Sequence, residues 1–483
     1  MTQPQTLRSV LPLAALVLVI NFVTMPAEEY RGDAQAVRVE TVALLNEGNW
    51  AVPAVIATQF GERGQYFYET RAGTWYPKYG VFNTLIYLPA LWLEKLVTGS
   101  LSFDSDHVIY LNLLNLILSG ATAVYLALLA RRQTNSTAVV WVFVLASFYA
   151  TFWWNYLRAQ TFETYFTLFA VAFYYHFTIA RQKAGHNRHL LFSGIYLGLL
   201  CLGKTAFVLL LPAMAVLWLI APRSSRAKEA RPVLFFWLPV LISVALVLAS
   251  NCYKFGSAFN TGYTQWEEER ELFTMNIFPA LWGYFISKQG SLFLHYPLFL
   301  FALAGWSGFL RKLPFEASTA LVLGLILFGA STVRPEWRGV SCYGPRYLLP
   351  VLPILSLPFI LVLDRLREMG SARARWAMGG LIAVVLAYSF LLQGAVNSLP
   401  FFFWNELYAV SGTGESQALD YLESHHFGTI NLDFIRYARG QPSRLQRSFV
   451  DELEPVALAR MEALTAETRL NYYWLRYSIE QAR

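Results

Sequence analysis

Long apolar segments follow one another from the start of the chain to about residue 395. Each is about 16 to 24 residues long, close to the roughly 20 residues that an α-helix needs to cross a bilayer. The segments are continuously apolar and do not alternate, so they do not fit the strands of a membrane β-barrel. Only helices or closed barrels satisfy their backbone polar groups in lipid. The pattern therefore predicts an all-α polytopic membrane protein.

Positive charge in the short loops predicts the orientation of the chain, because Lys and Arg gather on the inner side of a membrane. Placing all five basic loops inside gives eleven crossings, with the N-terminus inside and the C-terminal region outside. The first segment resembles a secretory signal, but no small-residue cleavage site follows it convincingly, which favours a retained span. The basic loops are 131–132, 181–189, 222–231, 311–312 and 365–375, and the predicted spans are 8–25, 107–130, 138–153, 161–180, 190–203, 205–221, 233–250, 291–310, 317–333, 346–363 and 376–395.

One apolar segment, Val81 to Val97, does not fit this alternation of inner and outer loops. Counting it as a span would place Arg131 and Arg132 outside. It contains Pro89 and carries charged residues near its end. We therefore interpret it as a helix or shallow hairpin in the outer membrane interface. The alternative is a true span, with one basic loop assigned to the wrong side.

The long polar segments all lie on the outer side in this topology. Two juxtamembrane helices are predicted in the first outer loop, Asp33 to Glu47 and Pro53 to Phe60, the former from its mixed amphipathic pattern. We divide the chain into a transmembrane domain, 1–395, and a small outer C-terminal region, 396–483. The outer segments are 26–106, 251–290, 334–345 and 397–483, and the last contains predicted helices at Glu415 to His425 and Glu452 to Thr468.

Composition supports the membrane assignment and excludes two other classes of protein. The chain of 483 residues is 56% hydrophobic and only 14% charged, against roughly 25% charged for a soluble domain. The net charge of +7 comes from loops between spans, so it does not indicate a nucleic-acid partner. Three cysteines are too few for a disulfide framework.

The stretch Gly198 to Thr205 has the letters of a nucleotide-binding P-loop. A P-loop follows a buried strand and opens a helix in an aqueous α/β domain. This match lies between two predicted spans, so we exclude a nucleotide partner. Lys204 within it stays a candidate for contact with a phosphate, although a lysine extending from a helix end to the interface is an equal alternative.

Acidic residues cluster where the first outer loop leaves the membrane. Glu28, Glu29 and Asp33 follow the first span directly, and Glu163 opens the fourth span on the same side, preceded by Arg158. Charged groups at such a depth are costly unless they are used. A carboxylate can orient a hydroxyl or amine acceptor and take its proton. The alternative is that these are solvated loop charges, and a helix-starting Glu favoured by the helix dipole.

Cations on the same side suit a substrate that carries phosphate. Lys and Arg groups stabilise the negative charge that develops on a phosphate leaving group. The aromatic residues around them suit sugar faces, but they equally suit an interfacial belt of Trp and Tyr. The cations are Lys78, Lys204, Lys254, Lys288, Arg334, Arg338 and Arg346, and the nearby tyrosines include Tyr79 and Tyr347.

Several short motifs, in this order and spacing, resemble a family of membrane enzymes. Residues 1 to about 395 are similar to bacterial polyprenyl-phosphate-dependent glycosyltransferases of the GT-C superfamily, close to the protein O-mannosyltransferases and lipid A aminoarabinose transferases. The motifs are Arg31-Gly32-Asp33 after the first span, Tyr76-Pro77-Lys78-Tyr79-Gly80 before an apolar helix, Leu202-Gly203-Lys204-Thr205, Lys254-Phe255-Gly256 with Gly262-Tyr263, Ser287-Lys288-Gln289-Gly290, and Gly344-Pro345-Arg346-Tyr347.

The resemblance implies an inverting transfer from a polyprenyl-phosphate sugar to a lipid, glycan or protein acceptor. It implies a multi-pass protein of the bacterial cytoplasmic membrane whose active site faces outward. Asp33 matches the acidic residue of the first loop and Lys78 the basic residue that binds the lipid phosphate. Glu163 stands where Asp is usual, and with Glu29 nearby the identity of the base stays open. The remaining predicted substrate-binding residues are Lys204, Arg346, Tyr79, Arg158, Lys288, Tyr347 and Glu29.

The sequence predicts no cofactor and leaves two rival functions. No cofactor is required, and no His, Cys, Asp and Glu cluster has metal-ligand spacing, although a divalent ion held by Asp33 and Glu163 stays an alternative. The rival functions are a transporter or flippase for lipid-linked sugars and a non-catalytic subunit of cell-envelope assembly. A transporter would favour charges in mid-span and internal symmetry, and neither is evident.

Overall fold

The computed structural model describes most of the chain as helices connected by short loops. Nearly all predicted spans coincide with helices, as the apolar pattern requires. The described residues are 3–27, 32–60, 66–103, 109–158, 160–182, 187–220, 230–263, 274, 276–288, 290–335, 337, 343–400, 403, 407, 422, 424–453, 455–467 and 471–472.

Both helices predicted between the first two spans are present, and the first, at 33–47, has the bounds expected from its sequence. A β-hairpin that the sequence analysis did not predict follows them. The elements from the N-terminus are α1 (Gln3–Val23), α2 (Asp33–Glu47), α3 (Ala54–Ala57) with a 3₁₀ turn at Thr58–Phe60, β1 (Phe67–Glu69), β2 (Trp75–Pro77) and α4 (Val81–Thr98).

The central helices enclose the core. Trp153, Tyr165 and Phe143, all completely buried or nearly so, fill the space between them. The elements are α5 (Ile109–Arg131), α6 (Thr137–Tyr149), α7 (Trp153–Arg158), α8 (Phe162–Gln182), α9 (Asn187–Gly203), a 3₁₀ turn (Thr205–Leu209), α10 (Leu210–Ile220) and α11 (Ala230–Phe255).

The remaining elements complete the membrane part and form the C-terminal region. They are α12 (Phe278–Phe285), α13 (Leu292–His295), α14 (Pro297–Lys312), α15 (Pro314–Thr332), a 3₁₀ turn (Arg346–Leu348), α16 (Leu352–Leu355), α17 (Phe359–Glu368), α18 (Ala372–Val396), α19 (Phe427–Ala438), α20 (Arg444–Ser448), a 3₁₀ turn (Val450–Glu452) and α21 (Pro455–Glu467).

Four helices in the described part of the chain are long and apolar enough to cross a membrane: α5, the 233–255 part of α11, α15 and α18. Three shorter apolar helical segments lie at Val10–Val23, Thr137–Tyr149 and Thr205–Leu219. The multi-pass character is therefore established by length and composition. The count of eleven crossings stays a prediction.

The predicted span at 346–363 is wrong as a continuous helix. It consists of a 3₁₀ turn and the separate helices α16 and α17. Pro350, Pro353 and Pro358 lie within it. Each proline lacks the N–H that would continue a helical ladder, which accounts for the breaks.

Helix α4 is one continuous helix in spite of Pro89, so the hairpin alternative for Val81 to Val97 is wrong. Its polar side chains Asn83, Thr84 and Glu94 are buried against the protein, whereas Trp92 and Val97 are exposed. This reversed polarity suits a helix whose outer surface meets lipid. Whether it lies in the interface or crosses the bilayer stays a prediction.

The C-terminal region packs against the end of α18 through α19. The side-chain amide of Asn431 in α19 donates to the carbonyl oxygens of Ala395 and Val396, each at 3.0 Å. The predicted helix at 452–468 corresponds to α21. Helix α19 was not predicted, and most of the helix expected at 415–425 lies outside the described residues.

Helices α9 and α11 approach closely because α9 presents Gly194 and Gly198 to its neighbour. Glycines four residues apart on one helix face are typical of close helix packing in membranes. A Cβ added at Gly194 would lie 2.2 Å from the carbonyl oxygen of Phe236, and one at Gly198 would lie 2.3 Å from the hydroxyl of Ser243. Backbone that is this close leaves no room for a side chain.

We predict that Gly194→Ala lowers the stability of the protein by about 1 to 3 kcal/mol, the usual cost of overpacking. The measurement is the thermal melting temperature in detergent. The matched control is Gly380→Ala in α18, where a Cβ would meet no described atom within 4 Å. Equal melting temperatures for the two variants would contradict the close α9–α11 contact.

Candidate active site

Asp33 begins helix α2 and lies where this helix meets the start of α8. It is one of the carboxylates predicted from the sequence as candidates for the base, and its side chain is 29% exposed. A carboxylate in the first turn of a helix is stabilised by the helix dipole. The position of Asp33 therefore combines access to a cavity with a local preference for the charged form.

Arg346 connects two carboxylates that come from distant parts of the sequence. Its Nη2 lies 3.1 Å from Oδ2 of Asp33, and its Nε lies 3.4 Å from Oε1 of Glu163. Both Glu163 and Arg346 are buried. The starts of α2 and α8 and the 3₁₀ turn at Arg346 thus meet at one point, and the guanidinium balances the two negative charges.

Tyr79 holds Asp33 from the opposite side, because its hydroxyl donates a hydrogen bond to Oδ1. Burial alone would raise the pKa of Asp33, but Arg346, Lys78 and this hydrogen bond lower it, so the net pKa lies below its usual value. Burial and the nearby Asp33 raise the pKa of Tyr79 well above its usual range. At neutral pH the pair is therefore a carboxylate and a neutral phenol donor.

Lys78 directly precedes Tyr79 and is surrounded by aromatic rings. Its ammonium lies 5.0 Å from the centre of the Tyr263 ring, 5.7 Å from Tyr79 and 6.0 Å from Tyr66. The hairpin of β1 and β2 sets this position, since the backbone N–H of Lys78 donates to the Tyr66 carbonyl at 3.1 Å. A cation among aromatic faces is stabilised by their quadrupoles.

A second cationic group surrounds the ring of Tyr347. Lys204 Nζ lies 4.5 Å from the ring centre, and the guanidinium carbons of Arg334 and Arg346 lie at 5.1 and 5.6 Å. Among the described residues, neither Lys204 nor Arg334 forms an ion pair. Burial and the neighbouring Arg334 and Arg346 lower the pKa of Lys204 to about 8.

Gly80 allows the loop of Lys78 to approach the loop of Lys204. A Cβ at Gly80 would lie 2.5 Å from the carbonyl oxygen of Leu202, so only glycine fits. The side-chain amide of Asn83 also donates to the Gly203 carbonyl at 3.0 Å. These contacts explain physically why the two short motifs converge.

These groups line one cavity, whose walls carry both charged and apolar side chains. Its charged lining consists of four cations and two carboxylates, a surplus of two positive charges. Such a surplus favours an anionic ligand. The lining residues are Asp33, Lys78, Tyr79, Gly80, Phe162, Glu163, Phe166, Leu202, Gly203, Lys204, Thr205, Val247, Ser250, Asn251, Phe255, Thr261, Tyr263, Arg334, Arg346 and Tyr347.

Seven of the ten predicted site residues therefore lie together, and three do not. Arg158 is buried elsewhere, where it donates to the Asn397 carbonyl at 2.7 Å and to the Asn471 carbonyl. Lys288 is exposed and is not part of the cavity lining. Glu29 lies outside the described residues. Asp33, Glu163, Lys78, Tyr79, Lys204, Arg346 and Tyr347 are the residues that the structure brings together.

Part of the cavity lining was not predicted from the sequence. Phe162 and Phe166 come from the start of α8, one residue before and three residues after Glu163. Helical spacing could have suggested Phe166, which lies three residues after Glu163. Val247 and Ser250 carried no signal beyond their place near the outer end of a span.

The cavity shows how a metal ion would have to bind. No group of three His, Cys, Asp or Glu in the described ranges is arranged to hold one. Asp33 and Glu163, the two carboxylates that would hold a divalent ion, both pair with Arg346. An ion held by both would compete with this guanidinium. The residues fit a site in which Arg346 supplies the counter-charge.

Comparison with known proteins supports the resemblance seen in the motifs. Residues 89–252 match the family model of dolichyl-phosphate-mannose-protein mannosyltransferases. The match covers about a third of the chain and includes Glu163 and Lys204. A comparison with curated proteins gives no significant match.

Solved structures show the fold. The apo crystal structure of the oligosaccharyltransferase from Archaeoglobus fulgidus has a TM-score of 0.54 and 14% identity, covering 86% of this chain and 60% of that one. The complex of that organism's oligosaccharyltransferase AglB with an inhibitory peptide and a dolichol-phosphate has a TM-score of 0.50 and 15% identity, covering 86% and 59%. This chain thus spans about three fifths of the archaeal proteins.

A third solved structure aligns over a larger share of both chains than the archaeal structures do, but its TM-score is lower. ArnT from Cupriavidus metallidurans bound to undecaprenyl phosphate has a TM-score of 0.49 and 15% identity, covering 94% of this chain and 76% of that one. The predicted α-helical, GT-C-like membrane fold is confirmed by the archaeal matches. At these identities the likeness to solved structures establishes fold alone.

We predict that Arg346→Leu lowers the melting temperature, because it leaves two carboxylates facing each other without their counter-charge. The free energy of unfolding should fall by about 3 kcal/mol, which is the low end for a broken buried ion pair, because Asp33 is partly exposed. Adding Glu163→Gln should recover part of it. Arg334→Leu is the control, as Arg334 pairs with no described carboxylate. Equal losses for Arg346→Leu and Arg334→Leu would contradict the pairing.

Proposed function

We propose that the protein is an inverting glycosyltransferase that moves a sugar from a polyprenyl-phosphate donor to a lipid, glycan or protein acceptor. The observation that carries the proposal is the cavity itself. It places a carboxylate held in its charged form beside a surplus of cations and several aromatic rings. A base, a phosphate site and flat apolar surfaces for a sugar are the groups that this reaction needs.

The acceptor loses its proton to Asp33 or Glu163 as it attacks the anomeric carbon of the donor sugar. The bond between that carbon and the phosphate oxygen breaks, and the electron pair leaves with the polyprenyl phosphate. Since attack and departure occur on opposite faces, one displacement inverts the configuration. The carboxylate works chiefly by orienting the acceptor and accepting the proton as it becomes acidic in the transition state.

The leaving phosphate gains charge as the bond breaks, and cations fixed in advance stabilise that charge. Lys78 and Lys204 suit this role, because both line the cavity and each lies over aromatic rings. Arg334 lies beside Lys204 and adds positive potential. Arg346 is already engaged by Asp33 and Glu163, so it keeps the carboxylates in place and adds charge at the phosphate from a distance.

The matched proteins support the substrate class. The family model that matches residues 89–252 is that of enzymes using dolichyl-phosphate mannose. The structure of an archaeal protein of the same fold is a complex with an inhibitory peptide and a dolichol-phosphate. We therefore propose a lipid-phosphate sugar as the donor, while the acceptor class stays open among lipid, glycan and protein.

We place the reaction at the outer face of the bacterial cytoplasmic membrane. The basic loops assign the first outer loop to that side, and Asp33 and Lys78 belong to it. A polyprenyl chain would then lie in the membrane with its phosphate at the cavity. The proposal thus accounts for a charged cavity next to apolar helices.

We predict that Asp33→Asn and Lys78→Ala each reduce sugar transfer by about 100-fold or more, the usual range for a lost base or a lost charge-stabilising group. The assay uses membranes supplied with radiolabelled polyprenyl-phosphate sugars. The controls are Glu47→Gln at the exposed end of α2 and the exposed Arg373→Ala, which should keep wild-type transfer. Undiminished transfer by both site variants would refute the proposed site.

A second prediction concerns pH. Lys204 carries its charge below a pKa of about 8, so donor binding should weaken as pH rises through that value. The decline should appear in kcat/KM, which reports the free enzyme. Lys204→Arg keeps its charge in this range and should move the decline above about pH 10. An identical alkaline decline in both proteins would exclude Lys204 from donor binding.

A further inference from the structure

A second buried ion pair lies behind the cavity, between Glu40 of α2 and Lys254 of α11. The side chain of Glu40 is fully buried and that of Lys254 is 3% exposed. Neither residue lines the cavity. Lys254 was one of the cations predicted on the outer face, and Glu40 had no predicted role.

The pair belongs to the same helix face as Asp33. Glu40 follows Asp33 by seven residues, which is about two helical turns, so both carboxylates extend from one side of α2. The hydroxyl of Thr84 in α4 donates to the other carboxylate oxygen of Glu40. The pair therefore links α2, α4 and α11 at one buried point.

The ammonium of Lys254 also approaches the loop that carries the site. Its Nζ lies 3.4 Å from the carbonyl oxygen of Tyr79. The hydroxyl of the same Tyr79 donates to Asp33. Tyr79 is thus held at both ends, by its backbone on Lys254 and by its side chain on Asp33, and Lys78 is the adjacent residue.

Burying two charges is not an efficient way to stabilise a protein, because desolvation offsets much of the attraction. Apolar residues of similar volume often do as well or better. A buried pair that contacts the backbone of a site residue has a second use, because it fixes that backbone. The contact with the Tyr79 carbonyl is the observation that points to this use.

We propose that Glu40 and Lys254 are positioning residues of the transfer reaction. They fix the backbone of Tyr79. This backbone in turn positions the Tyr79 hydroxyl on Asp33 and the ammonium of the adjacent Lys78 at the cavity wall. This inference rests on the proposed function and adds two residues that touch no substrate. Their effect reaches the reaction only through the Lys78–Tyr79 segment.

The pH dependence of the transfer rate reports this effect. Its acid limb is the fall in rate at low pH, where the Asp33 carboxylate becomes protonated. The groups that face Asp33 in the described structure are Arg346, Lys78, Tyr79 and Lys204, with Glu163 across Arg346. Two of them, Lys78 and Tyr79, lie in the segment that Lys254 holds. Both favour the charged carboxylate, so loosening the segment raises the pKa of Asp33 and moves the acid limb to higher pH.

The test is the double variant Glu40→Leu/Lys254→Met, which removes both charges and nearly keeps the side-chain volume. We expect a melting temperature close to wild type and a transfer rate lower by about 10- to 100-fold, as small displacements of catalytic groups produce. We also expect the acid limb to shift upward. A purely structural pair would leave rate and limb unchanged once stability is retained.

Two further variants complete the test. Arg132→Met/Glu316→Leu removes another largely buried pair, joined at 2.9 Å and outside the cavity lining, and should change neither rate nor acid limb. Glu40→Asp retains both charges, so it is compatible with folding if the double variant is not. Its shorter side chain draws Lys254 away from Tyr79, so it should show a smaller upward shift of the same kind.

The outcomes separate this inference from the proposed function. If the folded Glu40 variants keep the wild-type rate and acid limb, or if the Arg132 control shifts the limb equally, the positioning role is refuted. If the wild-type protein transfers no sugar, the proposed function fails. The positioning role is then tested by the binding of undecaprenyl phosphate in detergent. The affinity should fall in the Glu40→Leu/Lys254→Met variant and not in the Arg132→Met/Glu316→Leu control. Unchanged affinity would refute the positioning role.

Discussion

The charge balance around Arg346 is the constraint on which the site depends. Asp33, Glu163 and Arg346 come from three distant parts of the chain and are joined by contacts of 3.1 and 3.4 Å. A buried charge that loses its partner costs about 3 to 5 kcal/mol. The starts of α2 and α8 must therefore meet the turn at Arg346. The same balance keeps the Asp33 carboxylate charged while the remaining cations face the cavity.

Other buried polar contacts connect this site to the rest of the protein. Glu40 and Lys254 connect α2 to α11 behind the cavity. Arg158 connects the helices to the C-terminal region through the carbonyls of Asn397 and Asn471. These contacts join elements that are distant in the sequence, alongside the close glycine packing of α9 on α11. A charged residue near the site can therefore serve architecture rather than chemistry.

The sequence predicted what depends on local pattern and on topology. Helix α2 has the predicted bounds, and parity placed Asp33, Lys78, Glu163, Lys204 and Arg346 on one side, where the structure groups them. It could not predict which cation pairs with which carboxylate, because that depends on helix rotation and register. Lys204 and Lys254 look alike in sequence, yet one lines the cavity and the other pairs with Glu40. Arg158 was misjudged for the same reason.

The most direct test is a structure of the protein in lipid nanodiscs with undecaprenyl phosphate, determined by electron cryo-microscopy. The account predicts density for the phosphate inside the cavity, within hydrogen-bond distance of the Lys78 ammonium and beside Lys204, with the polyprenyl chain leaving along apolar helix surfaces. A phosphate bound elsewhere, with neither lysine in contact, would contradict it.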